Sequence, residues 1–218
     1  MRKLALVFAV ILVCLLAPIV PFVVWGRHLE ASLPRALETL EAPGPVAAFA
    51  FCLLASDIFL PIPSSVVATV AGAKLGVIGG ALVCAAGLTV GAIAGFALAR
   101  LLGRPLVSRL ASQADLAGLE AAADRYGVVL LVVTRPLPVL AEATVLLLGT
   151  VRMDWRVFLL TVALSNFGIA VCYAVLGKLA HAHHQLLWAV IASAALPLVA
   201  AAAGRRVLFP APKSDRPT

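Results

Sequence analysis

Residues 134–149 read TRPLPVLAEATVLLLG, which sets Arg135, Pro136, Pro138 and Glu142 inside an apolar run. Residues 56–65, SDIFLPIPSS, do the same with Asp57, Pro61 and Pro63, followed by Ser64 and Ser65. A guanidinium supplies fixed positive charge and a planar fork that matches two oxygens of a phosphate or carboxylate. A carboxyl can gain and lose a proton, and burial and a neighbouring arginine pull that equilibrium in opposite directions. Arg135 with Asp57 and Glu142 therefore reads as an anion site with proton carriers beside it. The competing reading is an ion pair, in which Asp57 or Glu142 neutralises Arg135 and clamps two segments together. Glu142 lies four residues after Pro138 and can reach Arg135 across the turn. Ser64, Ser65 and Thr144 add hydroxyls that either meet a ligand or satisfy backbone groups freed by the breaks. Asn166 either bonds to the broken segments or packs between helices. Pro61, Pro63, Pro136 and Pro138 are structural, ending helices and freeing carbonyls.

Nothing else in the chain resembles reaction machinery. No nucleophile–base set or phosphate-binding glycine loop is present, so an enzyme acting on a lipid is the weaker reading. No cofactor is called for, and the coupling ion that the carboxyls suit is a proton. HAHH at 181–184 has metal-like content without a further ligand nearby and reads as a wet loop.

The surroundings decide what these charges cost. Of the 218 residues 63% are hydrophobic and 12% charged, whereas soluble domains carry about 25% charged residues. The chain reads as an all-α integral membrane protein, with membrane lipids as its partners. Four stretches are long enough to span: Leu4–Trp25, Val77–Ala99, Val157–Gly177 and Leu186–Ala203, since a crossing takes about 20 residues. Leu4–Trp25 is too long for a signal peptide and lacks a small-x-small cleavage site, so it reads as a retained helix. The net charge of +7 comes from basic residues scattered singly between apolar segments, which fits orientation against an anionic leaflet and not a nucleic-acid partner. Cys14, Cys52, Cys84 and Cys172 sit in apolar segments without a C-x-x-C pair and read as packing residues.

Two further apolar windows, Val46–Ala73 and Gly127–Thr150, are broken near their middles. The second would open with the eight-residue piece Gly127–Thr134, reaching roughly 12 Å, less than half the bilayer. If both windows dip and return, with both termini cytoplasmic at the cell membrane, the basic residues other than Arg135, which would lie at membrane depth, divide 12 inside against 4 outside. If both span, Lys74 moves in while Arg100, Arg104, Arg109 and Arg125 move out, and the division falls to 9 against 7. The positive-inside rule favours two re-entrant hairpins, which must line protein or a water-filled cavity. Leu29–Glu41 and Asp115–Tyr126 carry apolar stripes (Leu29, Leu33, Leu37, Leu40; Leu116, Leu119, Ala123, Tyr126) and read as interfacial helices.

The halves repeat at an offset of 77 residues: Pro61 falls on Pro138, Gly72 on Gly149, Gly91 on Gly168 and Phe96 on Tyr173, with Asp57 one position from Arg135. Each half runs charged residue, proline break, apolar half-helix ending in glycine, spanning helix. Inverted repeats whose broken helices meet near the midplane are a transporter architecture. Gly87, Gly91 and Gly95 recur every fourth residue, which suits close helix packing within the monomer or a homodimer seam. The organisation expected is an N-terminal span and interfacial helix over 1–44, a core of two inverted repeats over 45–178 with an interfacial joint at 103–126, a C-terminal span over 179–204, and a basic cytoplasmic tail over 205–218.

SDIFLPIPSSVVATVAGAKLG, TRPLPVLAEATVLLLGTVRMDWRVFLL and SNFGIAVCYAVLG resemble the DedA family, also called the VTT or SNARE-associated domain family, over about residues 45–178. The resemblance implies a lipid translocase or scramblase, in some bacterial members a proton-coupled carrier of undecaprenyl phosphate. It puts Asp57 at the family's acidic position before the first break and Arg135 at the first arginine of the second. Ser64 and Ser65 stand where many bacterial members have Gly-Asp, and Ala141, beside Glu142, stands where they often have a second arginine. The alternatives to a translocase are a membrane-organising protein and a lipid-modifying enzyme.

Overall fold

The computed structural model describes residues 36–182, apart from 38, 61, 104, 106, 108–112 and 136. The spans expected over Leu4–Trp25 and Leu186–Ala203, together with Cys14 and most of the interfacial helix expected over Leu29–Glu41, lie outside the described residues. Every described element is helical: α1 (Pro43–Ser56), α2 (Ser64–Leu98) running into a π-helical turn (Ala99–Gly103), α3 (Gln113–Thr134), α4 (Pro138–Thr150) and α5 (Trp155–Ala182). The helices begin where proline has no amide to waste: Pro43 and Pro138 open α1 and α4, and Pro63 precedes α2. Thus Pro63 and Pro138 start helices, where the sequence suggested that they end them. α1 stops at Ser56, well before Pro61.

Ser64–Gly103 and Trp155–Leu179 are long and apolar enough to cross a membrane, with mean hydropathy 2.1 and 2.0. Gly76 divides the first of these, because its φ of 74° and ψ of 174° reverse the chain. Gly80 then returns so close to Gly72 that a Cβ on it would stand 2.7 Å from the Gly72 Cα. The part after Gly76 is the longer helix and covers Val77–Ala99, and the part before it is a short one. That short helix ends at Gly76 and not at Gly72, because Gly72 serves a different purpose: it admits the Ala174 backbone of α5. The matching reversal between α4 and α5 falls at Arg152, whose φ is 58°. Arg100 Nη1 donates to Met153 O at 2.8 Å and holds this turn against the end of α2. Beneath it Phe96 stacks on Phe158, with centroids 3.9 Å apart, and meets Trp155 edge-on. Ile78 and Leu82 of α2 and Leu160, Leu164 and Phe167 of α5 are exposed, giving both long helices an apolar outer face suited to lipid.

The second hairpin departs from expectation. The interfacial helix Asp115–Tyr126 and the short piece Gly127–Thr134 form a single 22-residue helix, α3. Leu116, Ala123, Gly127 and Leu131 are buried along one continuous stripe, so the helical period runs straight through Gly127. That glycine is a contact and not a break: a Cβ there would meet Leu148 and Met153 at 3.2 and 3.3 Å. Tyr126 leaves the stripe, half exposed beneath the Arg125 guanidinium. A helix of this length extends roughly 33 Å, so length no longer separates a dip from a crossing. Its first half carries the charges, Glu120, Asp124 and Arg125. At the other end α5 continues through Ala182, so helix covers the first half of the HAHH stretch expected as a loop.

The glycine stripe of α2 packs within the chain. Side chains on Gly87, Gly91 and Gly95 would run into Leu54, the Ala55 carbonyl and Ile58, so α1 and the turn after it occupy that face. Of the described cysteines Cys84 is buried, but Cys52 and Cys172 are exposed and not the packing residues expected. The tightest crossing is α2 on α5, where a Cβ at Gly177 would strike the Thr69 carbonyl and one at Gly72 the Ala174 backbone. Backbone cannot step aside as a side-chain tip can. Gly72→Ala and Gly177→Ala should each lower stability by at least about 1–3 kcal/mol, read as a lower melting temperature in detergent. Gly168→Ala, with nothing within 4 Å of its added carbon, should melt with the parent. Equal melting of all three would contradict this crossing.

Candidate functional site

Both breaks are built alike. α1 ends in Ser56, whose hydroxyl donates back to the Cys52 and Leu53 carbonyls at 2.9 Å, and Asp57 follows. α3 ends in Thr134, whose hydroxyl donates to Leu130 O at 2.7 Å, and Arg135 follows. In each case a hydroxyl satisfies the last carbonyls of a helix and the next residue carries the charge. The chain then restarts as α2 or α4, neither with a side-chain cap on its first turn.

These two tips come together. Asp57 and Arg135 lie within electrostatic reach of one another, and Glu142, on the first turns of α4, lies within reach of both. Ser64 and the Ile62 amide lie near the Asp57 carboxylate, and the Ile62 amide donates to Leu60 O at 2.8 Å. The cluster is nevertheless incomplete. Asp57 Oδ1, Arg135 Nε and Arg135 Nη2 are enclosed by protein without a hydrogen-bond partner. Nε and Nη2 form one edge of the guanidinium, the edge that grips two oxygens of a single anion. A simple clamp would have closed that edge on a carboxylate. Two carboxylates stand nearby and the edge remains open.

Ser64 therefore belongs to the cluster through Asp57. Ser65 contributes its backbone, accepting from Thr69 Oγ1 at 2.7 Å, and Thr144 is buried on α4. Pro61 and Pro136 lie outside the described residues. Asn166 is fully buried and bonded elsewhere: its Nδ2 donates to Thr89 Oγ1 at 3.1 Å, while its Oδ1 has no partner. Thr89 was not among the residues singled out from the sequence. The signal for it was there, because 77 residues separate the two and the repeat offset is the same. The bond thus joins two residues at the offset of the expected repeat. Gly72 against Ala174 and Gly149 against the Phe96 carbonyl give the same result, since the offset carries one contact to within a residue of the other. Asp57 and Arg135, one position off the same offset, are also brought together.

The VTT domain family model matches residues 62–179, more than half of the chain. The chain belongs to the VTT (DedA) family. With its apolar crossing helices, this VTT-domain chain is a membrane protein. The match takes in Arg135, Glu142, Thr89 and Asn166, and begins after Asp57. No curated protein and no solved structure matches the chain.

Proposed function

We propose that this chain is a lipid translocase of the cell membrane, with both termini cytoplasmic, that moves a lipid carrying an anionic phosphate group between leaflets. The observation that carries the reading is the open Nε–Nη2 edge of Arg135, enclosed with two carboxylates where the breaks meet. A buried arginine costs about 2.5–3.5 kcal/mol even on the mildest scale, and its unmet donors add to that. A phosphate seated on the edge would satisfy both donors, and the starts of α2 and α4 flank it with the positive ends of their helix dipoles. Asp57 and Glu142 compete with the lipid for the guanidinium, so protonating a carboxyl releases Arg135 to bind. No cofactor takes part, and the proton is the coupling ion. The inverted repeat supports the same reading, because two mirrored halves around one site can open alternately to either face.

Purified protein in liposomes should carry an acyl-labelled phospholipid between leaflets and return it at unchanged mass. A product of new mass would instead indicate a lipid-modifying enzyme. Absence of movement with every phosphate-bearing lipid would leave a membrane-organising role.

A further inference from the structure

The two halves differ in how their outer helices are held. On α2, Gly87, Gly91 and Gly95 seat α1 and the turn after it, and they meet the Phe51 and Ala55 carbonyls, Leu54 Cβ and the Ile58 side chain. The offset of 77 residues carries these glycines onto Leu164, Gly168 and Cys172 of α5, and α1 onto the C-terminal part of α3. There the seat is empty. Among the described residues no other helix comes within 4 Å of a Cβ built on Gly168, and Leu164 and Cys172 are exposed. The residues that would fill it, Val128 and Val132, stand 77 positions after Phe51 and Ala55 and are exposed as well. Leu131, between them, instead joins Phe96, Val145, Leu148 and Phe158 in a buried cluster.

α3 is held in that place by atoms that can give. Its Gly127 faces Leu148 Cδ2 and Met153 Sδ and Cε, the far ends of flexible side chains, whereas α1 lies against α2 through its own backbone. Packed helices settle in one discrete arrangement or another and do not deform continuously. We propose that α3 is the moving element of this chain: its last turns, residues 128–134, leave the Leu131 cluster and seat Val132 on α5 at Gly168, as Ala55 of α1 sits on α2 at Gly91, while α1 stays in place. Leu164 stands where α2 has Gly87, so the second seat is shallower than the first and α3 can leave it again. Arg135 follows α3 directly and travels with it, whereas Asp57 stays with α1. The movement parts and rejoins the two breaks, and as a step in lipid transport it rests on the translocase reading.

Gly168→Leu fills the seat without touching the described packing. It should melt with the parent in detergent yet move acyl-labelled phosphatidylglycerol about tenfold more slowly in liposomes, the effect of one overpacked contact on a packing equilibrium. A second measurement does not depend on transport. With the four native cysteines replaced by alanine, Val132→Cys with Gly168→Cys should form a disulfide within one chain under mild oxidation in liposomes. A disulfide brings its Cβ atoms to about 3.8 Å, nearer than any described atom of another helix stands to position 168. The bond should stop lipid movement, and reduction should restore it. Absence of the intrachain disulfide, or a disulfide formed only between two chains, would overturn the movement of α3. Gly168→Leu moving lipid at the parent's rate would do the same, and so would a lower melting temperature, which would show the seat already covered. An intrachain disulfide in a protein that moves no lipid even when reduced would overturn translocation and leave the movement of α3 standing.

Discussion

Arg135→Lys should move lipid scarcely better than Arg135→Ala, both about 10–100-fold below the parent. The conservative substitution keeps the charge, so a site that needed only a positive point would tolerate it. The open edge is not a point: Nε and Nη2 lie side by side, enclosed and unpaired, and fit two oxygens at once. An ammonium on a flexible stem offers no such pair, and losing a bidentate charged contact in an enclosed site is worth about 1.5–3 kcal/mol, which gives the range above. Rates come from the liposome assay, with folding checked by size-exclusion elution. A folded Arg135→Lys variant within twofold of the parent would show that charge alone suffices and that the fork geometry has no role.

The parts of this site legible in the sequence are those that chemistry makes expensive. An arginine and two acids among apolar residues stand out because burial penalises them, and prolines mark where helices cannot be continuous. The offset of 77 residues was visible for the same reason, and it reappears in the bond between Thr89 and Asn166. Glycine was harder to read. Gly72, Gly76 and Gly127 look alike in a sequence, yet only Gly76 takes a left-handed turn, while Gly72 and Gly127 make room for Ala174 and for Leu148 and Met153. Which role a glycine has depends on what approaches it from far along the chain. Periodicity misled for a related reason at Tyr126. A stripe through Leu116, Leu119 and Ala123 continues equally well to Tyr126 or Gly127, and the burial of Leu131 settles it for Gly127. The open edge of Arg135 could not be read from sequence at all, because it depends on the carboxylates being near without closing on it.

Asp57→Asn and Glu142→Gln should each raise transport of phosphatidylglycerol at neutral pH, on the order of tenfold, and at least one should flatten its dependence on pH. Three ionisable groups face one another where the breaks meet: Asp57, Glu142 and Arg135. The guanidinium stays charged, so pH acts through the carboxyls. A protonated carboxyl withdraws one negative charge from the anion's neighbourhood, and binding improves. As pH rises the carboxyl ionises, competes for Arg135 and repels the phosphate, so the parent should carry this purely anionic lipid faster in acid and slower in alkali. Each amide variant holds the protonated charge state at one carboxyl while the other still titrates, so the variant at the carboxyl that competes for Arg135 should keep the parent's acid rate across the range. Removing a unit charge several Å away, at an effective dielectric constant of about 20, is worth one to a few kcal/mol, which sets the tenfold scale. The measurement is leaflet exchange of phosphatidylglycerol against pH in the parent and the two variants, with folding checked by size-exclusion elution. If folded variants follow the parent's pH profile, the carboxylates do not compete for Arg135 and the proton has no part in the cycle.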